Sequence, residues 1–210
     1  MIIAIDGPAG SGKSTIARLL AEGLGYTYVN SGNIYRAITL SALNKGLAQA
    51  DNPALVDCAR HAVIEYRNKR LFLDGCDVES LLHSAEVDSF VAQLSAIPEI
   101  RDVVNVHVRQ IAGASDAVVE GRDITTVVFP DADYKFYLDA SAASRASRRF
   151  CQGCSSEDLA SIRANIEMRD AIDRNKSVGA LKIAPDAFYL DSSDLTIEEV
   201  YDKVYGKILH

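Results

Sequence analysis

Residues 1–15 read MIIAIDGPAGSGKST, and this stretch decides the fold. Within it, Gly7-Pro8-Ala9-Gly10-Ser11-Gly12-Lys13-Ser14 fits the pattern G-x-x-x-x-G-K-[ST]. The apolar run Ile2 to Ile5 before it reads as a strand, and Thr15 to Leu24 after it reads as a helix, which is the context a P-loop needs. The glycines permit dihedrals at which successive backbone N–H groups turn onto one anion. Lys13 can reach the outer phosphates, Ser14 can ligate Mg²⁺, and the new helix points its positive end at the same place. A nucleotide phosphate site follows, and a plain glycine turn does not account for the pattern.

Working outward, short β-rich runs at 2–6, 27–29, 117–120, 134–138 and 187–190 alternate with helical patterns at 13–24, 32–44, 98–113, 141–150, 156–174 and 196–208. That alternation predicts an α/β fold with a parallel sheet and right-handed crossovers. Asn30 or Ser31 suits the N-cap of the second helix, Thr196 with Glu199 forms a capping box, and Pro98 opens a helix. Residues 52–95 interrupt the alternation. They read as a helical stretch from Ala54 to Tyr66, a hairpin over 70–78 turning at Asp74-Gly75, and a polar helical run. We expect an insert with a minor core there.

The chain has 210 residues, of which 48% are hydrophobic, enough to bury a full α/β core. Its net charge of −7 argues against a broad nucleic-acid surface, so anions must be met locally by concentrated arginines. No apolar run approaches the ~20 residues that span a membrane, and the N-terminus reads as a strand where a signal peptide would need a basic region. Cys151 and Cys154 form a C-x-x-C, but Cys58 and Cys76 stand alone and no second pair completes a zinc site. Free thiols and a cytoplasmic location are the expectation.

A second chemical cluster, Glu120-Gly121-Arg122-Asp123, ends the strand at 117–120. Ligands of open parallel sheets sit beyond the carboxyl ends of strands, so this tetrapeptide should face the P-loop's crevice. Glu120 is placed to hold Mg²⁺ directly or through water, and Arg122 and Asp123 to grip an acceptor or else to pair internally. From 145 to 176 the basic residues are Arg145, Arg148, Arg149, Arg163, Arg169, Arg174 and Lys176. Interleaved acids offer helical partners, yet arginine suits bidentate phosphate contact, and Gln152-Gly153 and Ser155-Ser156 supply a pliant tip. The pattern describes an arm that closes over transferring phosphates.

In order, GPAGSGKST, NSGNIYRA, the stretch Gln93 to Arg101, EGRDITTVVFPDADYKFYLDAS, RDAIDRNKSVGALK and LDSSDLTIEEV resemble the cytidylate kinase family over nearly the whole chain. The resemblance implies a P-loop nucleoside-monophosphate kinase fold: one kinase domain with a five-stranded parallel core (1–51, 96–144 and 166–210), an acceptor-binding insert (about 52–95) and a short Arg-rich lid (about 145–165). It implies transfer from ATP to CMP or dCMP with Mg²⁺, in a monomer; the charge and the short apolar runs lead us to expect no nucleic-acid or membrane partner. Gly7, Pro8, Ala9, Gly10, Ser11, Gly12, Lys13, Ser14 and Thr15 would hold ATP, with the metal at Ser14 and Glu120. Ser31, Arg36, Arg101, Arg122, Asp123, Arg169, Asp173 and Lys176 would hold the acceptor. Lys13, Arg122, Arg148 and Arg149 would be catalytic.

Three positions depart from the family pattern. Asn30 stands where Asp is usual, Ala92 where a base-reading Ser is usual (Ser95 lies one turn on), and Lys176 where Arg is usual. A missing donor is expected to blur cytosine against uracil. The competing readings are a P-loop kinase for UMP, AMP or a non-nucleotide such as shikimate, and a nucleotide-binding regulatory module without turnover. A GTPase switch lacks its N/T-K-x-D-like segment.

Overall fold

The structure, a computed structural model, describes residues 1–67, 70–151, 158–176 and 178–209. The chain divides into two compact units, Met1–Tyr28 with Ser115–His210, and Val29–Ala114. The expected strands all form: β1 (Ile2–Asp6), β2 (Thr27–Asn30), β6 (Ala117–Gly121), β7 (Tyr134–Asp139) and β8 (Phe188–Asp191), in the order β2-β6-β1-β7-β8. The unit boundary falls within β2. Registers are parallel from β6 through β1 and β7 to β8.

Helices α1 (Lys13–Leu24) and α8 (Ile197–Ile208) cover the first unit's sheet. Ile3, Ile5, Ile16, Leu20, Val118, Phe136, Leu138, Val200 and Val204 form its core. The apolar period of these helices and the near-continuous apolar strands explain why they meet. The Thr196–Glu199 capping box forms, each residue satisfying the other's backbone N–H. Helices α6 (Ala142–Cys151) and α7 (Leu159–Asn175) pack together through Ala146, Ile162 and Ile166.

In the second unit, α2 (Ser31–Asn44) packs against α3 (Asn52–His61), α4 (Ala85–Leu94) and α5 (Pro98–Ala112). Asn30 is the N-cap of α2, accepting from the Asn33 N–H at 3.2 Å, and Pro98 opens α5. Strands β3 (Ile64–Arg67), β4 (Arg70–Leu73) and β5 (Cys76–Asp77) make an antiparallel sheet. Asp74 (φ +49°) and Gly75 (φ +81°) turn β4 into β5, the paired positive dihedrals of a type I′ hairpin.

The helix expected from Ala54 to Tyr66 is corrected. It ends at His61, and Tyr66 lies in β3. Asp74 causes the break: its carboxylate accepts from the Val63 N–H at 2.9 Å, and its own N–H donates to the Val63 carbonyl at 2.8 Å. The polar run after the hairpin also divides, into a 3₁₀ turn (Glu79–Leu81) and α4. Among the described residues no helix is long and apolar enough to cross a membrane.

Candidate functional site

In the first unit, parallel register sets Ile5 opposite Glu120 and Asp6 opposite Gly121, so the P-loop and the Glu120–Asp123 segment leave the sheet side by side. Gly7 must be glycine, because a Cβ there would lie 2.1 Å from the Leu138 carbonyl oxygen. Gly12, at φ +90°, is the N-cap of α1 and offers no side chain to its first-turn N–H groups. An uncapped helix start at the end of a glycine loop is a place for an anion.

Lys13 is only 7% exposed and donates to the Pro8 carbonyl at 3.2 Å. Burial lowers its pKa to about 7, and the charge of Arg122 adds to that fall. Ser14 Oγ donates to Glu120 Oε2 at 2.9 Å, and the Tyr28 hydroxyl donates to Oε1 at 2.6 Å. This pairing of a hydroxyl with a buried carboxylate is a hard-oxygen set that fits Mg²⁺, which takes one or two carboxylates and leaves its other positions to water and phosphate. Among the described residues no cluster of three or more His, Cys, Asp or Glu could hold a metal without such outside ligands.

Arg122 donates through Nη1 to the Gly7 carbonyl at 3.1 Å and pairs through Nε with Asp173 at 3.0 Å. Lys176 pairs with the other oxygen of Asp173 at 2.9 Å. Burial pushes the Asp173 carboxyl up, but Arg122 and Lys176 outweigh it and hold the group below its ordinary value. Asp123 is buried, and Arg169 adds its charge to those pressing on Lys13.

A cavity of about 690 Å³ opens beside the P-loop. Gly10 to Ile16 form its floor, Arg148 and Arg149 line it from α6, and Leu195, Ile197 and Val200 supply apolar wall. Arg148 donates to the Ser11 carbonyl at 3.4 Å and also bonds the backbone and hydroxyl of Ser192. Cys151 lines the cavity as a free thiol, while Cys154 and the expected pliant tip lie outside the described residues.

In the second unit, Ser31 begins α2 and is buried. Arg36 donates to the Leu82 carbonyl at 2.9 Å and to Asp88 at 2.5 Å. Arg101, 4% exposed, donates to the Ser95 carbonyl and lies 5.7 Å from the centre of the Tyr35 ring. Ser95 Oγ is turned to the Ala92 carbonyl at 3.0 Å.

Several residues of consequence escaped the reading of the sequence. Asp6 accepts from the N–H groups of Ile124 and Thr125 at 2.9 and 2.7 Å, and from the Thr125 hydroxyl at 2.6 Å. It thereby holds the π-helical turn Ile124–Val128 that follows Asp123. Burial raises its pKa to about 6 against those three bonds. The signal was an acid closing an otherwise apolar strand. Tyr28 and Ser192 had no signal beyond residue type, and Arg145, read with the other basic residues of 145–176, is instead buried against Asp170.

Comparison with known proteins decides the family. The family model for cytidylate kinase matches residues 3–210. The chain belongs to the cytidylate kinase family. It is 41% identical to the cytidylate kinase of Caldanaerobacter subterraneus subsp. tengcongensis, over 98% of this chain and 93% of that protein. It is 40% identical to the cytidylate kinase of Lactobacillus gasseri, over 97% of this chain and 92% of that one. The solved structure of TT1252 from Thermus thermophilus matches with a TM-score of 0.52 at 20% identity, covering 100% of this chain and 96% of that chain, a likeness of fold alone. The α/β fold that the resemblance implied is the one observed.

Proposed function

We propose that this protein transfers the γ-phosphoryl group of ATP to CMP or dCMP, giving ADP and CDP or dCDP. The carrying observation is one contiguous set in the first unit: the uncapped P-loop, buried Lys13, the Ser14–Glu120 pair, and Arg122 tied to the loop at Gly7. An oxygen of the acceptor phosphate attacks the γ-phosphorus in line. The new O–P bond forms as the bond to the β-phosphate oxygen breaks, and no covalent enzyme intermediate arises. Such a reaction asks the protein for position and charge neutralisation above all. Lys13, Arg122, Arg148 and Arg149 supply the charge.

Residues Gly7 to Thr15 cradle the donor phosphates, and the apolar wall at Leu195, Ile197 and Val200 suits a flat base. Ser14 and Glu120 would hold Mg²⁺, which would supply positive charge to neutralise the donor phosphates. On the acceptor side, the first unit offers Arg122 for the phosphate, Asp123 for cytosine and Asp173 for the ribose, with Arg169 and Lys176 beside them. The second unit offers Ser31, with Arg36 for the phosphate and Arg101 for the base. The segment from about 145 to 165 acts as the lid and that from about 52 to 95 as the acceptor-binding insert. The reading takes the protein as a monomeric cytoplasmic enzyme, without nucleic-acid or membrane partners.

The test is ADP release with MgATP against CMP, dCMP, UMP and AMP. Preference for CMP or dCMP supports the reading. Equal rates with UMP would recast the protein as a broad pyrimidine-nucleotide kinase, the consequence expected of Ala92 and Lys176. ATP binding with no transfer to any of the four would overturn it.

A further inference from the structure

Arg145 differs from its neighbours on α6. Arg149 is exposed and Arg148 partly so, whereas Arg145 is buried and pairs bidentately with Asp170 of α7 at 3.0 and 2.5 Å. An ion pair holding two helices together would need nothing more. Arg145 nevertheless spends two further N–H groups on neutral carbonyls: Nε on Ala140 at 2.8 Å, and Nη1 on Ala9 of the P-loop at 3.1 Å. The helix comes close enough that a Cβ on Gly10 would lie 3.4 Å from the Arg145 Cβ.

The Ala9 bond has a consequence one atom away. In a planar trans peptide the C=O and the following N–H point in opposite directions. Drawing the Ala9 carbonyl toward α6 therefore turns the Gly10 N–H to the other side of the loop. A cation on the carbonyl also polarises the peptide and makes that N–H a better donor. The same logic repeats one turn along, where Ser192 Oγ at 3.2 Å and Arg148 hold the Ser11 carbonyl, which sets the Gly12 N–H.

We infer that Arg145, oriented by Asp170, is a positioning residue for phosphoryl transfer: it fixes the Ala9–Gly10 peptide so that the Gly10 N–H faces the donor phosphates. The inference rests on the proposed ATP reaction. It assigns Arg145 no contact with the transferred group.

The experiment compares the parent with R145K and with R145M/D170M, reading the thermal midpoint, kcat, both KM values, and the Kd for ATP without acceptor. Replacing both partners of a buried pair by apolar side chains generally preserves stability, so the double variant is expected to melt within about 3 °C of the parent. It should lose about tenfold or more in kcat and about fivefold in ATP affinity, with KM for CMP nearly unchanged, because a misset phosphate cradle costs rate. R145K keeps a cation that can reach Ala9 but loses the fork to Asp170, and should recover part of both losses. Parent kcat and parent ATP affinity in a folded double variant would overturn the inference, as would losses that track only the unfolded fraction. Should the double variant not fold, R145K decides alone: lowered kcat and weakened ATP binding at the parent midpoint support the inference, and parent values overturn it. A parent that fails to phosphorylate CMP refutes the proposed reaction, while ATP affinity still reads the peptide orientation.

Discussion

Two aspartates three residues apart on α7 are used in different ways. Asp170 meets one guanidinium head-on, and the pair exposes only 7% and 3% of the two side chains. Asp173 is divided between Arg122 and Lys176, whose side chains are 24% and 20% exposed. The first arrangement is closed, with the guanidinium committed to Asp170, to the Ala140 carbonyl and to Ala9 of the P-loop. The second leaves two cations at the edge of solvent, each with donors to spare. Geometry thus separates a fixed joint from a clamp whose partners can be exchanged, which suits the acceptor-side role proposed for Asp173. Both reach the same loop, Arg145 at Ala9 and Arg122 at Gly7.

The strongest way to break the comparison is at the P-loop that both arginines reach. Lys13→Ala removes the cation at the loop's mouth and should lower turnover by at least about a hundredfold, the scale of losing one preorganised charge donor. Turnover within about threefold of the parent would take Lys13 out of the reaction. Next come the two aspartates themselves. Asp170→Ala strands a buried guanidinium and should cost about 3–5 kcal/mol in urea unfolding. Asp173→Ala leaves cations that can turn to water, and should cost about 1 kcal/mol while raising KM for CMP. Equal stability losses would erase the distinction.

That distinction was invisible in the sequence, where RDAIDRN displays two acids and two arginines without saying which meet. Strands and most helices were legible because their period is local: β1 and α1 follow from the apolar run, the glycines and the helix pattern of the first 24 residues. The break between α3 and β3 was missed because Asp74, thirteen residues past His61, makes it. The π-helical turn at Ile124–Val128 was missed because a carboxylate 118 residues away at Asp6 shapes it. Arg145 stood in the sequence among seven basic residues, and only packing could single it out. Chemistry written in one motif was readable; chemistry assembled across crossovers was not.

The pH response sharpens the picture of Lys13. Burial lowers its pKa to about 7 against an ordinary 10.5. Below pH 7 both folded and unfolded chains carry the proton, so the full penalty of burying the charge applies. Between about pH 7 and 10.5 the unfolded chain binds more protons, so this group makes stability rise with pH. Asp6 acts in a different window. Its pKa is raised from 3.8 to about 6, so the folded chain keeps a proton that the unfolded one loses, and its contribution declines as pH rises through that range. A bound polyphosphate favours the ammonium form of Lys13. ATP binding at pH 8 should therefore take up close to one proton, and affinity should fall by up to about tenfold per pH unit above 7. Calorimetry in buffers of different ionisation enthalpy reads this directly. Proton-neutral binding at pH 8, or an unchanged uptake in Lys13→Ala, would refute it.

The smallest expected effect lies behind the proposed metal ligands. Tyr28 donates to one oxygen of Glu120 while Ser14 donates to the other, so the tyrosine fixes the rotamer of a carboxylate that it does not itself bring to the substrate. Tyr28→Phe removes that bond and leaves the ring in place. The stability cost should be about 1 kcal/mol, the usual worth of one hydrogen bond. An unanchored Glu120 is a poorer ligand, since outer partners orient inner ones. The Mg²⁺ concentration for half-maximal turnover should then rise a few-fold, with kcat recovered at saturating metal. A lowered kcat that excess Mg²⁺ does not restore would place Tyr28 in the chemistry itself, while an unchanged Mg²⁺ requirement would mean that Glu120 is held well enough by Ser14 and the strand.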